Sequence, residues 1–311
     1  DRFSYRHVGR SADRSRVGTG WTMMGRFIAI ACVSVFTLVA TGTFQAGAQE
    51  HPREQMTPLR VFAAGSTRGV LAAIAEDYTR ATGQRFELTF GPAGLLLNRI
   101  RKEGGADVYV SANMQHPQRL FQEGGGTRPV SFARNRLCVT GRSELGLTQE
   151  TLLDKLLAPS MKIGTSTPGA DPGGDYAQEF FDRAETVRAG AKERLIKNAR
   201  QLVGGPTSPK LPAGETALHY FFSRREADVF IGYCSSHTKI GIKTEKPSDV
   251  ATTRIEVPPP LTMPINYGLT IPTTNEKEDR SKAAYRFALY LMSPDAQRRL
   301  PEYGFLAGGG P

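Results

Sequence analysis

The chain has 311 residues, of which 39% are hydrophobic and 23% are charged. A chain of this length and composition can bury a substantial core, so one large or two ordinary domains are expected and a disordered chain is excluded. The formal net charge is +10, but residues 1–48 hold six arginines and only two aspartates, which leaves +6 for the remainder. This excess of positive charge can serve either to keep the protein soluble or to attract an anionic ligand. Nucleic acid is not an expected partner, because no Lys/Arg run with interleaved aromatic residues is present.

Residues 23–48 have the pattern of an export signal. Met23 to Arg26 precede an apolar run over 27–40, and small residues follow up to Ala46-Gly47-Ala48. A charged start, an apolar segment and an A-x-A site are typical of a Sec-type signal peptide, so we predict cleavage after Ala48 and a periplasmic location. The apolar run is too short for a transmembrane helix, and the residues before Cys32 fit a lipoprotein signal poorly. Residues 1–22 precede this predicted start and are not expected to form part of the folded protein.

Strands and helices alternate along the rest of the chain. Strands are predicted at 59–64, 85–90, 106–111, 137–140, 162–165, 227–233 and 267–271. Helical spacing of apolar residues predicts helices at 70–82, 95–103, 149–157, 175–189, 216–224 and 282–292. Repeated β-turn-α units predict an α/β fold with doubly wound, mostly parallel sheets. A proline-rich connection at 257–264 interrupts this pattern, and 204–214 is predicted as a surface loop.

Two cysteines remain after the predicted cleavage, Cys138 and Cys234, and both lie in strand-like segments. An oxidising compartment permits a disulfide between them. The sequence does not say whether the two strands are neighbours. A disulfide and two separate buried thiols therefore both stay open.

Three predicted strands lead into small-residue turns that open helices. These are Gly65-Ser66-Thr67, Gly91-Pro92-Ala93-Gly94 and Asp171-Pro172-Gly173-Gly174-Asp175. A helix N-terminus presents free N–H groups and the positive end of the helix dipole, so it attracts anions. Any one turn can instead serve only to cap its helix. Three such turns meeting at one crevice would form a binding site, because open α/β sheets bind ligands at the carboxyl ends of their strands.

Motifs for enzymatic chemistry are absent from the sequence. The Gly-Gly of the third turn is not followed by Lys-Ser/Thr, so it is not a P-loop, and no G-x-S-x-G elbow occurs. The histidines of the mature chain lack zinc-ligand spacing. Asp171 and Asp175 could form a carboxylate pair, although acidic residues at a helix start more commonly act as caps. We therefore predict a protein that is not an enzyme and that needs no cofactor or metal.

Several segments, taken in order, resemble one family. They are Val61-Phe62-Ala63-Ala64-Gly65-Ser66, Phe90-Gly91-Pro92-Ala93-Gly94-Leu95, residues 105–112 (GADVYVSA), Arg134-Asn135-Arg136-Leu137, Pro172-Gly173-Gly174-Asp175-Tyr176-Ala177, residues 227–233 (ADVFIGY) and Tyr303-Gly304-Phe305. This series is similar to the molybdate-binding family of periplasmic receptors, and it covers most of residues 57–306.

The resemblance implies a two-lobed type II binding protein that serves as the receptor of an ABC importer. Lobe 1 would hold residues 57–134 and 262–311, and lobe 2 residues 135–255, with a hinge at 256–261 and crossovers near Asn135 and Pro259. The implied partners are a small anion, with molybdate or tungstate first, and an ABC permease in the inner membrane. Nothing in the sequence suggests an oligomer, so a monomer is expected.

The resemblance also implies ligand contacts, and two of them depart from the family pattern. Motif positions assign contacts to Ser66, Ala93, Gly173, Glu215 and Tyr233. The family has a serine where this chain has Ala93. Near the position of Glu215 the family has an apolar residue, and the carboxylate of Glu215 would repel a dianion.

Two residues that follow Ser66 complete the candidate site. Thr67 shares its turn, and Arg68 could supply a guanidinium for bidentate anion recognition. Together with the two departures, this keeps a different ligand open, either an organic anion or a complexed metal.

Overall fold

The computed structural model describes residues 57–212, 214–237, 250–273 and 278–308. These residues all belong to a compact unit that begins at His51. The predicted signal peptide and the cleavage site after Ala48 lie outside the described residues. Across the ranges given above, no helix combines the length and apolar character needed to cross a membrane.

Strands and helices alternate as the sequence predicts. The strands are β1 (Leu59–Ala64), β2 (Phe86–Gly91), β3 (Val108–Ser111), β4 (Val130–Asn135), β5 (Leu137–Arg142), β6 (Ile163–Ser166), β7 (Ala199–Val203), β8 (Val229–Tyr233), β9 (Thr252–Glu256), β10 (Ile265–Thr270) and β11 (Leu306–Ala307). The helices are α1 (Arg68–Thr82), α2 (Ala93–Glu103), α3 (Gln115–Gln122), α4 (Leu152–Leu156), α5 (Pro172–Val187), α6 (Ala191–Asn198), α7 (Ala217–Ser223), α8 (Glu278–Leu291) and α9 (Pro294–Arg299).

The strands form two sheets. The first has six strands in the order β11-β4-β10-β3-β1-β2, and the second has five in the order β7-β6-β8-β5-β9. The predicted α/β architecture is confirmed, but the sheets are mixed where the sequence predicts mostly parallel ones, because the strands outside the β-turn-α units pair antiparallel. Strands joined through helices pair in parallel, as β1 does with β2 and β3 and as β6 does with β7 and β8. β4, β5, β9, β10 and β11 pair antiparallel with their neighbours.

Burial explains why β1 is apolar apart from Arg60. Leu59, Val61 and Ala63 of β1 are fully buried, and Phe62 and Ala64 almost so. β1 lies between β3 and β2, and helices α2 and α8 pack against it. A strand covered in this way shows a continuous apolar run in place of alternation.

The chain passes between the two sheets twice. β4 ends at Asn135 and β5 begins at Leu137, so the first passage is a single residue, Arg136. The second runs through 257–264 between β9 and β10. Both passages lie where the sequence predicts crossovers.

A disulfide joins Cys138 and Cys234, which settles the alternative left open by the sequence. β5 and β8 are antiparallel neighbours, with Cys138 opposite Gly232. Cys234 directly follows β8, and its N–H donates to the Arg136 carbonyl oxygen at 2.9 Å. The disulfide therefore lies beside the first passage between the sheets.

Candidate functional site

The first two glycine-containing turns lie at the same edge of the six-stranded sheet. β1 and β2 are parallel, and their register places Ala64 opposite Gly91 at the carboxyl ends of both strands. Gly65–Thr67 forms a 3₁₀ turn that leads into α1, and Pro92 precedes α2. The N-termini of two helices are thereby brought side by side.

The third turn comes from the other sheet and reaches the second turn directly. It follows β6 and opens α5 with Asp171 as the N-cap. The Gly94 N–H, in the first turn of α2, donates to the Ala170 carbonyl oxygen at 2.9 Å. A Cβ added to Gly94 would lie only 2.2 Å from the Gly169 carbonyl oxygen, so the approach is too close for any other residue. The three predicted turns thus converge at one place between the sheets.

A group of hydroxyl side chains lies at this junction, which we name the hydroxyl cluster: Ser66, Tyr176, Tyr233 and Tyr267. The Ser66 and Tyr267 hydroxyl oxygens are 3.0 Å apart. The Tyr233 ring centroid lies 5.7 Å from that of Tyr267 and 6.2 Å from that of Tyr176. Asn135 Nδ2 donates to the Tyr267 hydroxyl at 3.2 Å and to the Ser235 hydroxyl at 2.8 Å. Side chains from both sheets therefore build the cluster.

The Tyr233 hydroxyl differs from the others because it is buried without a partner. The residue is 7% exposed, and among the described residues its hydroxyl has no hydrogen-bond partner. Burial, with smaller contributions from Tyr267 and Asp171, raises the pKa of this hydroxyl well above its ordinary value. It therefore stays neutral and can donate a hydrogen bond. Buried polar groups in native proteins are nearly always paired, so an unpaired one marks a candidate contact.

Asp171 places a carboxyl beside the cluster. Its Oδ1 accepts the Gly173 N–H at 2.9 Å, so the residue acts as a cap. Burial raises the pKa of this carboxyl, the Gly173 hydrogen bond opposes that change, and the charge of Asp175 adds to it. The Gly173 N–H, a predicted ligand contact, is thus already occupied within the protein.

The remaining residues predicted around the first two turns have local contacts. Thr67 is fully buried, and its hydroxyl donates to the Ala64 carbonyl oxygen at 2.7 Å. The exposed Arg68 holds its guanidinium over the Phe90 ring, 4.7 Å from the ring centroid. Ala93 is buried and its carbonyl oxygen accepts the Tyr109 hydroxyl at 2.6 Å. Of this turn region, Ser66 alone is placed in the hydroxyl cluster.

Glu215 lies just before α7, near a histidine and an arginine of its own segment. Its Oε2 is 3.6 Å from His219 Nδ1 and 3.8 Å from Arg224 Nη1. No hydrogen bond or ion pair among the residues that the structure describes joins it to Ser66 or Tyr233. The Glu215 carboxylate is therefore placed with its own segment, and its Oε2 is buried without a hydrogen-bond partner among the described residues.

Four residues of the junction have no site role in the sequence-based prediction. Tyr176, Tyr267 and Asn135 meet only through the pairing of distant segments, as Ser66 and Tyr267 are 201 positions apart. Asp171 was recognisable as a cap from the Asp-Pro-Gly-Gly pattern, but its place beside Tyr233 depends on the fold. Within the described ranges, no group of three or more His, Cys, Asp or Glu side chains could hold a metal ion.

Comparison with known proteins identifies the family. Residues 59–306 match the family of bacterial extracellular solute-binding proteins. The chain belongs to this family. An uncharacterized protein of Pasteurella multocida is 34% identical over 212 residues, covering 68% of this chain and 86% of that protein. A Bacillus subtilis protein assigned as an ABC transporter substrate-binding lipoprotein is 24% identical over 285 residues, covering 90% of this chain and 97% of that protein.

Solved structures of solute-binding proteins share the fold. The periplasmic molybdate-binding protein of Azotobacter vinelandii has a TM-score of 0.62 at 17% identity, covering 81% of this chain and 100% of its own. The sulfate-binding protein of Mycobacterium tuberculosis has a TM-score of 0.61 at 16% identity, covering 80% of this chain and 86% of its own. A fructose-6-phosphate-bound periplasmic binding protein of Actinobacillus pleuropneumoniae has a TM-score of 0.58 at 15% identity, covering 81% of this chain and 84% of its own.

Proposed function

We propose that this solute-binding protein is the exported periplasmic receptor of an ABC importer, and that it binds a small anion between its two sheets. The observation that carries the proposal is the Tyr233 hydroxyl, which is buried without a partner where three helix-opening turns meet. We place the binding contacts on the hydroxyls of Ser66 and Tyr233, beside the first turns of α2 and α5. The receptor would deliver its ligand to an inner-membrane permease and would not transform it.

The electrostatics at the junction support an anionic ligand. The first turns of α2 and α5 lie at the positive ends of their helix dipoles, while their Gly94 and Gly173 N–H groups are bonded within the protein. The Ser66 and Tyr233 hydroxyls are neutral and can donate hydrogen bonds to an oxygen. Donors of this kind stabilise an anion without requiring a buried cation.

We propose two classes of anion as the ligand. Molybdate or tungstate is the first, from the resemblance of the sequence motifs, and an organic anion is the second. The solved structures that share this fold include a molybdate-binding protein, a sulfate-binding protein and a protein bound to fructose 6-phosphate. Ala93 favours the second class, because its methyl group cannot donate the hydrogen bond of the family's serine.

Ligand binding would act through closure of two lobes, each formed by one sheet and its helices. We assign residues 57–134 and 262–311 to lobe 1, 135–255 to lobe 2, and the hinge to 256–261. A ligand that contacts both lobes shifts the population towards the closed form, which the permease would recognise. Small-angle scattering should show a smaller radius of gyration with saturating ligand, and an unchanged radius contradicts closure.

Titration calorimetry tests the binding site itself. We expect wild-type protein to bind at least one of molybdate, phosphate or a phosphorylated organic acid, with sulfate as the reference anion. Tyr233→Phe should weaken that binding by about tenfold, because it removes one buried donor. Tyr285→Phe is the matched control, since Tyr285 is 50% exposed on α8. If both variants bind like the wild type, Tyr233 does not contact the ligand.

A further inference from the structure

A chain of hydrogen bonds runs from Ser66 through the hydroxyl cluster to the first passage between the sheets. The Ser66 and Tyr267 hydroxyl oxygens are 3.0 Å apart. Asn135 Nδ2 lies 3.2 Å from the Tyr267 hydroxyl and 2.8 Å from that of Ser235. Between two hydroxyls either one can donate, so the pair of Ser66 and Tyr267 alone has no fixed direction. The direction matters because only one of the two arrangements leaves the Ser66 hydrogen available to a ligand.

The amide of Asn135 has a fixed orientation. Asn135 is the last residue of β4 and is 4% exposed. Its Oδ1 accepts the Arg136 N–H at 2.8 Å. A backbone N–H can only donate, so this contact identifies the amide oxygen and places Nδ2 on the side of Tyr267 and Ser235. An amide nitrogen donates and does not accept. Asn135 therefore gives a hydrogen to the Tyr267 oxygen and cannot receive one from it.

The Tyr267 hydroxyl must in turn donate to Ser66. Tyr267 is fully buried, and burial raises the pKa of its hydroxyl, with the hydrogen bonds to Ser66 and Asn135 opposing that change, so the hydroxyl keeps its hydrogen. Among the described residues, Asn135 and Ser66 are the hydrogen-bond partners of this hydroxyl. A buried hydroxyl hydrogen without an acceptor is costly. Since Asn135 Nδ2 cannot accept, the acceptor is the Ser66 oxygen.

We propose that Asn135 is a positioning residue that sets the direction of this chain and thereby turns the Ser66 hydrogen towards the ligand. This inference rests on the proposed function above and adds to it the group that orients one of the donors. Ser66 is partly exposed, and because its oxygen accepts from Tyr267, its own hydrogen is available. The ligand atom that faces Ser66 must then be an acceptor, as an ionised anion oxygen is. Asn135 acts on the ligand only through Tyr267 and Ser66.

Asn135→Asp should reverse the direction of the chain. The two side chains have the same shape, but a carboxylate only accepts hydrogen bonds. The Arg136 N–H and the hydroxyls of Ser235 and Tyr267 would all donate to the new carboxylate, which keeps it ionised. The Tyr267 oxygen would then accept the Ser66 hydrogen. A lone pair of Ser66 would face the anion in place of a hydrogen.

Titration calorimetry on the full chain measures this reversal. The probes are molybdate, phosphate and glycerol 3-phosphate, and the one that the wild type binds most tightly is used for every variant. Asn135→Asp should weaken binding by about tenfold or more, and Tyr267→Phe alone by no more than about threefold. Tyr267→Phe added to Asn135→Asp interrupts the chain and frees the Ser66 hydrogen, so the double variant should return to within about threefold of Tyr267→Phe alone. Neither general damage nor repulsion between the new carboxylate and the anion produces such a recovery.

Asn198→Asp is the matched control. Asn198 is also buried, and its Nδ2 donates to the Leu156 and Ala158 carbonyl oxygens at 3.0 and 2.9 Å, away from the hydroxyl cluster. Its replacement should lower the free energy of unfolding and leave the affinity unchanged. A loss of stability alone therefore does not account for the loss of binding expected of Asn135→Asp.

A second comparison tests the chain even if Asn135→Asp does not fold. Tyr267→Phe removes one oxygen and should act only through Ser66, so its effect on affinity should disappear in a Ser66→Ala background. Additive losses for Asn135→Asp and Tyr267→Phe, or an equal loss from Tyr267→Phe with and without Ser66→Ala, overturn the role of Asn135 and leave the anion receptor standing. If none of the three probes binds to the wild type, the anion receptor itself is overturned, and the orientation of Ser66 towards an anion with it.

Discussion

The Gly94 N–H donates to the Ala170 carbonyl oxygen across the junction of the two sheets, at 2.9 Å. α2 belongs with the six-stranded sheet and the 167–171 turn with the five-stranded sheet, so this bond joins the two halves of the proposed site. The hydrogen atoms of Gly94 face the Gly169 carbonyl oxygen at a distance that leaves no space for a Cβ. The closeness of the two halves depends on this glycine.

Gly94→Ala should therefore keep the two halves apart. Because the new methyl group would overlap the Gly169 carbonyl, we expect ligand affinity to fall by about tenfold or more while the free protein stays folded. Titration calorimetry measures the affinity, and thermal melting monitors the fold. Gly232→Ala is the control, since a Cβ at Gly232 meets nothing within 4 Å. Equal affinities for the two variants would show that the Gly94 contact is not part of the bound state.

Ser66→Ala and Thr67→Val should separate binding from stability. The Ser66 hydroxyl lies in the hydroxyl cluster, so its removal should weaken ligand binding by roughly 1–3 kcal/mol and change stability little. The Thr67 hydroxyl bonds the Ala64 carbonyl inside the turn, so Thr67→Val should lower the free energy of unfolding by about 1 kcal/mol and leave affinity unchanged. Calorimetry and urea unfolding on both variants measure the two effects. The reverse pattern would place Thr67 at the ligand.

The fold was predictable where local patterns agree with tertiary burial. β8 and, apart from Arg60, β1 are apolar runs followed by turn residues, and the structure places both inside their sheets. β9 was missed because Thr252–Glu256 is an edge strand with alternating exposure and few apolar residues. β4 was missed for a related reason, since its buried apolar residues Phe132 and Ala133 are flanked by polar residues.

The site was predictable at the level of turns but not of side chains. The carboxyl ends of parallel strands meet at one edge, so the convergence of the first two glycine-containing turns followed from the β-turn-α pattern. The third turn belongs to the other sheet, and its contact with them depends on how the two sheets pack. Arg68 was predicted beside the ligand because it follows Ser66, yet as the first residue of α1 it lies over Phe90. Tyr267 reaches Ser66 through a strand pairing that no local pattern encodes.

Reduction of the Cys138–Cys234 disulfide should destabilise the protein. The bond closes a loop over a sequence separation of 96, so its loss should lower the free energy of unfolding by about 2–4 kcal/mol by enlarging the unfolded ensemble. The native strands should persist, because β5 and β8 also pair through the backbone. Urea unfolding with and without dithiothreitol measures the effect, and a Cys138→Ser/Cys234→Ser variant should be insensitive to the reductant. Identical midpoints for the oxidised and reduced wild type contradict the prediction.

Asp107 should make stability depend on pH in the acid range. It is buried and contacts Arg280 through both carboxylate oxygens, at 2.7 and 2.9 Å, and the Arg60 N–H at 2.7 Å. Burial raises the pKa of this carboxyl, but the hydrogen bonds from Arg280 and Arg60 outweigh that effect and hold the pKa below its ordinary value. The ionised form therefore stabilises the folded state above the unfolded pKa of about 3.9, and this contribution is lost as the pH falls through the lowered folded pKa.

Asp107→Asn should accordingly lower the free energy of unfolding at neutral pH by about 3 kcal/mol, because it leaves the Arg280 guanidinium without its carboxylate. The difference between variant and wild type should shrink as the pH falls below about 4, because Asp107 becomes protonated there in the unfolded chain and only at a lower pH in the folded protein. Urea unfolding at both ends of this range measures the difference. Asp154→Asn removes an exposed ion pair with Arg188 and should change stability little at either pH. A gap between Asp107→Asn and wild type that stays constant with pH would mean that the lost stability comes from packing and not from the charge of Asp107.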